Sequence, residues 1–135
     1  MRWQYNDGGR RVAGFKGNAN DCVTRAIAIA TGKPCREVYD ALNALGSGER
    51  TGKRKRGTSN ARTGVYKSTQ HKYLESLGWR WTPTMRIGSG CQVHLQADEL
   101  PAGRLIVSVS RHTVAVIDGV MCYVCTGRRS CCAAI

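Results

Sequence analysis

The sequence has no long apolar run, no internal repeat and few acids. No stretch approaches the roughly 20 apolar residues that cross a bilayer, which excludes a spanning helix and sets aside a membrane partner. The opening Met1-Arg2-Trp3-Gln4-Tyr5-Asn6-Asp7 has no apolar core of the kind a secretory signal carries. That predicts a cytoplasmic protein. Without a repeat, solenoid architectures are out. At 135 residues the chain is too short for more than one ordinary domain, which excludes large multidomain enzymes. Nine acids face 21 Lys and Arg, a formal net charge of +12, and that balance leaves nucleic acid open as a partner.

What is present in quantity is apolar residues and cysteine. Hydrophobic residues are 41% of the chain, too many for a disordered tail and enough for a core. The seven cysteines are an odd number, which fits a complete disulfide framework poorly, and a cytoplasmic setting keeps thiols reduced. Five of them, Cys91, Cys122, Cys125, Cys131 and Cys132, lie in the last third, while Cys22 and Cys35 stand apart.

Along the chain, residues 1–19 are polar and Gly-rich and read as a lead-in loop with room for a short extended piece. Val23, Ala26, Ile27 and Ala30 then repeat at helical spacing, with Asn20 or Asp21 able to cap the start and Gly32 the end. Pro34 suits the first turn of a second helix, striped by Cys35, Val38, Leu42 and Leu45 and closed by Gly46. Residues 47–67 read as a long, mobile, basic loop; positions 50–67 hold seven basic residues and no acid. A third helix is predicted at about 66–77, with Tyr73, Leu74 and Leu77 inward, His71 in solvent and Gly78 as its stop. After it the period becomes alternating. Trp79–Thr82, Leu105–Val109 and His112–Ile117 read as strands, with a loop and a short turn near Asp98 between the first two. Asp118-Gly119 is a strong hairpin signal, which returns Val120–Val124 antiparallel. Helices first and strands after predict an α+β domain, its N-terminal helices packed on a C-terminal antiparallel sheet.

One constellation carries chemistry. Cys22 begins a predicted helix, and His112 opens a strand ninety positions later. A helix N-terminus offers free amides and the positive end of a dipole, which favour a thiolate and can serve an oxyanion. An imidazole beside the sulfur can take its proton. The plainer readings are a small buried thiol on a helix and a satisfied histidine at a strand end.

Asn20-Asp21-Cys22 opening a helix, then Gly103-Arg104-Leu105-Ile106-Val107 leading into His112-Thr113-Val114-Ala115-Val116-Ile117-Asp118-Gly119, resembles a compact papain-like cysteine peptidase. The pattern is most similar to the bacteriocin-processing double-glycine peptidases and covers roughly residues 15–124. The resemblance implies a papain-like fold, a thiol nucleophile at Cys22, a general base at His112, a peptide or protein substrate and no cofactor. Two family elements are replaced. Where the family has a Gln ahead of the Cys for the oxyanion hole, position 16 is Lys, and Asn18 and Asn20 are the nearest side-chain amides. Where the family has an Asp or Asn after the His to orient it, the return strand has neither. Asp118 is the nearest acid, with Asp98 or Glu99 as sources from elsewhere in the chain.

Three further features have two readings each. Lys53-Arg54-Lys55-Arg56 is a solvated loop or an arm that grips a polyanion, nucleic acid or an acidic protein. No aromatics interleave within 50–62, so base stacking is not indicated. A long loop in a small domain can also act as a lid. Cys91-Gln92-Val93-His94 has a weak metal-like spacing. Cys122 and Cys125, followed by Cys131 and Cys132, resemble half of a zinc knuckle. Adjacent cysteines and a strand's alternation suit a closed site badly, so no metal is expected. The stretch 122–135 is compositionally unlike the family and reads as an atypical tail, as a changed reading frame would produce. The enzyme reading therefore has a rival. It is a catalytically weak papain-fold binding protein, of the kind a phage encodes, that uses its basic loop on nucleic acid or an acidic partner.

Overall fold

The computed structural model describes residues 2–15, 21–49, 57–83, 96, 98–109 and 112–123. Among these the order is β1 (Arg2–Tyr5), α1 (Cys22–Thr31), α2 (Cys35–Ser47), α3 (Lys67–Ser76), β2 (Arg104–Val109), β3 (His112–Ile117) and β4 (Val120–Tyr123). The fold is α+β, three helices with a four-stranded sheet in the order β1-β4-β3-β2. None of these helices is long and apolar enough to cross a membrane.

β2 and β3 are β-branched and pair antiparallel from Arg104↔Ile117 to Val109↔His112. Asp118 (φ 48°) and Gly119 (φ 78°) both take the left-handed conformation that a two-residue hairpin turn needs. β4 then returns with Ala115↔Cys122 in register. The sheet is mixed and not, as expected, antiparallel throughout. β1 joins its edge parallel to β4, Arg2↔Val120 through Tyr5↔Tyr123. So distant a parallel partner leaves no local trace in sequence.

α1 packs on β3 and β2 from one side and on α2 from the other. It is therefore buried almost all round, Ala28 and Ile29 included, rather than along one stripe. Ile27, Val38 and Leu42 are fully buried in the main core. Each such side chain contributes about 1.5–3 kcal/mol by leaving water. The outer sheet face holds a second cluster of Leu105, Val107, Val114 and Val116, joined by Leu100.

Several sequence expectations are corrected. Gly46 lies inside α2 rather than closing it. A Cβ there would fall 2.1 Å from the Ser59 carbonyl oxygen, so the glycine is needed for the close approach of the 57–66 segment. That segment is not the mobile end of a basic loop. Ala61 is fully buried, the Thr24 hydroxyl donates to its carbonyl (2.7 Å), and its amide donates to Asn43 Oδ1 (2.9 Å). Glu49 ties it further, accepting from the Ser59 amide (2.8 Å) and from the Thr69 hydroxyl. The strand expected at Trp79–Thr82 is absent among the described residues. Gly78 (φ 86°) ends α3, and the Trp79 amide donates back to Leu74 O (3.0 Å), which turns the chain back onto the helix.

Candidate active site

The N-terminus of α1 is held by its own ion pairs. Asp21 is 3% exposed, and its carboxylate faces Arg10 Nε at 2.7 Å and Arg25 Nε at 2.9 Å. It makes no side-chain capping bond to the helix, contrary to the sequence expectation, because both oxygens serve the arginines. A carboxylate this buried requires such partners. The pairs fix where Cys22, the next residue, stands.

The turn at 6–14, read from sequence as a lead-in, supplies Arg10. The Asn6 side chain accepts from the Gly8 amide (2.8 Å), and Asp7 accepts from the amides of Gly9 (3.0 Å) and Arg11 (3.1 Å). Such side-chain-to-backbone bonds let Asn and Asp build a turn by themselves. Gly8 (φ +68°) passes so close to α1 that a Cβ would lie 3.1 Å from the Arg25 carbonyl oxygen. Phe15 then stacks on Tyr39 of α2 at 4.3 Å.

Cys22 and His112 line one pocket. Asn6, Arg25, Ala26, Thr113 and Cys122 are among the residues that share it, within about 230 Å³ of empty space that includes open solvent. Cys22 is half-buried with a free thiol, and His112 is partly buried at the head of β3. Burial, with the Arg25 guanidinium adding to it, pushes the His112 pKa below the ordinary 6.5. The ring is thus neutral near pH 7 and able to accept a proton. Cys35 and Cys122 are also free and are buried. Burial pushes both thiols up, and at Cys35 the Asp21 charge adds to it.

The remaining predicted residues fall elsewhere. Asp118 sits in the β3–β4 turn, where its carboxylate accepts from the Gly103 amide (3.0 Å) and its own amide donates to Gly103 O (2.9 Å). β3 lies between it and His112, a span of roughly 20 Å at strand rise, so it does not orient the imidazole. Asp98 and Glu99 lie in an exposed turn and do not line the pocket. Asn18 and Asn20, Lys53 through Arg56, Cys91, His94, Cys125, Cys131 and Cys132 lie outside the described residues. Among the described residues no group of three His, Cys, Asp or Glu side chains is placed to hold a metal ion. His71 is not in solvent as expected. Its ring lies 4.1 Å from that of Trp81 in a separate pocket with Trp79 and Leu74, and burial lowers its pKa.

Sequence reasoning missed Asn6, Arg10, Arg25 and Cys122 as neighbours of the pair. Arg25 had a signal: it lies four residues after Asp21 and three after Cys22, which puts all three on one helix face. Cys122 had one too, since the Asp118-Gly119 hairpin sets it beside Ala115 of β3, whereas Asn6 had none, because the β1–β4 pairing next to it is distant in sequence. No protein family, curated protein or solved structure is matched by the chain.

Proposed function

We propose that the chain is a papain-like cysteine hydrolase acting on peptide or amide bonds, with Cys22 as nucleophile and His112 as general base. The observation that carries this is one pocket lined by a free, half-buried thiol at a helix start and by an imidazole kept neutral, from residues ninety positions apart. As Cys22 Sγ attacks the substrate carbonyl, its proton passes to the His112 ring and the new C–S bond leaves an oxyanion. Free amides at the start of α1 are suited to that charge. The C–N bond then breaks and the imidazolium proton goes to the departing amine. Water, deprotonated by His112, next cleaves the thioester and restores the thiol. A peptide or protein is the substrate, no cofactor is required, and a reducing cytoplasmic setting goes with a reaction that needs a free thiol.

A second reading keeps the fold and drops most of the catalysis: a binding protein for nucleic acid or an acidic partner, built on the basic 50–67 segment. It is favoured by the place of Asp118, the acid expected to orient His112, whose carboxylate instead accepts from the Gly103 amide (3.0 Å) in the β3–β4 turn. A library of fluorogenic peptide amides separates the two. Turnover by the wild type that disappears in Cys22→Ala and His112→Ala supports the hydrolase. Turnover that survives in Cys22→Ala overturns it. No turnover, with salt-sensitive binding to RNA or DNA, supports the second reading.

A further inference from the structure

Arg25 shares the pocket with Cys22 and His112 and has no part in the proton transfers described above. Its position is fixed on two sides. The Nε is held by the buried Asp21 carboxylate at 2.9 Å, and Gly8 packs against its backbone. A guanidinium with Nε engaged still carries four N–H donors on its terminal nitrogens, in a planar fork that matches a carboxylate. Asp21 is shared with Arg10, so its one negative charge is divided between two guanidinium groups. Among the described residues no other charged group lines this pocket. The effect of Arg25 on the His112 pKa shows that its charge is felt at the base.

We propose that Arg25 is a specificity residue that selects substrates bearing a carboxylate beside the bond to be cleaved. The assignment rests on the thiol-hydrolase reading, because it takes Cys22 to mark where the bond lies. A fixed cation one helical turn from the nucleophile favours an anionic neighbour and disfavours a cationic one.

The test uses the thiol itself and needs no known substrate. Iodoacetate and iodoacetamide differ by one negative charge, and their rates at Cys22 can be compared by peptide mapping of the full chain. The expected iodoacetate-to-iodoacetamide ratio at Cys22 is about threefold higher in the folded protein than in urea, the order one nearby unit charge gives in a solvated site. It should fall towards the unfolded value in Arg25→Gln and as salt is raised, and should survive in Arg25→Lys and in the surface control Lys72→Gln. If Arg25→Gln does not fold, the salt dependence of the wild type decides. A ratio that is the same folded and unfolded, or unchanged in a folded Arg25→Gln, overturns the assignment while leaving the hydrolase reading intact. If neither reagent reaches Cys22 in the folded protein, the hydrolase reading fails and the assignment falls with it. Protection of Cys22 by peptides then identifies the carboxylate. An amidated peptide containing Asp that protects best assigns it to a side chain; a neutral peptide with a free C-terminus that protects best assigns it to the chain end. Equal protection by a neutral amidated peptide contradicts the proposal.

Discussion

Cys22, Cys35 and Cys122 all carry free thiols, and burial separates them. Cys35 and Cys122 are buried and their pKa values are pushed up, so near neutral pH they stay protonated, while Cys22 is partly open to solvent at the start of α1. Nucleophilic attack needs the thiolate and access. Iodoacetamide should therefore modify Cys22 well ahead of Cys35 and Cys122, as read by peptide mass mapping; labelling of Cys122 first would contradict this order. Two other residues have sharper structural roles. Gly46→Ala drives a methyl into the Ser59 carbonyl oxygen. It should cost about 1–3 kcal/mol or more in urea unfolding. Asp21→Asn removes the carboxylate that two arginines share in a buried site. It should cost about 3 kcal/mol by the same measurement. A near-wild-type midpoint for either would remove the role given to that residue.

At the scale of elements, the site is an assembly of α1, β3 and the N-terminal turn, and these were not equally legible. α1 could be read because its apolar period and its glycine stop are local signals. β3 and its hairpin could be read because Asp118-Gly119 is a turn with its own chemistry. The Cys22–His112 pair followed from those two elements and from the resemblance they carry. The turn at 6–14 was opaque. Its order comes from Asn6 and Asp7 bonding to nearby backbone and from Gly8 meeting α1, and β1 beside it depends on a parallel partner far along the chain. Trp79–Thr82 misled for the converse reason: alternation marks a strand only where a partner strand is available, and here Gly78 returns the chain to α3. The 57–66 segment is anchored to α1 through a buried bond from the Thr24 hydroxyl to Ala61 O at 2.7 Å. Thr24→Val keeps the shape and leaves that carbonyl without its donor, so it should cost about 1–3 kcal/mol in urea unfolding. Loss below about 0.5 kcal/mol would mean the carbonyl finds another partner.

At the scale of the whole molecule, two histidines among the described residues respond to mild acid. His71 and His112 both titrate below the ordinary value of 6.5, burial being the first cause in each. The unfolded chain therefore takes up these protons at a higher pH than the folded one. Their contribution to stability is complete above about pH 6.5 and is lost as the pH falls below it towards the folded values. The urea midpoint should fall as pH drops from about 7 to 5, and the fall should be shallower in a His71→Gln, His112→Gln double variant. An equal slope in the two proteins would show that neither ring is buried as described. The same neutral imidazole at His112 is what the proposed chemistry requires, so stability and activity share one group.

The central claim is that His112 serves the Cys22 thiol. The most direct measurement is the rate at which Cys22 is acylated by p-nitrophenyl acetate near neutral pH, followed by intact mass and peptide mapping in wild type and in His112→Ala. The account predicts acylation at Cys22 that slows by about 10²–10⁴-fold when the imidazole is removed, the range for a positioned general base. Acylation of Cys22 at the same rate in both proteins would contradict it.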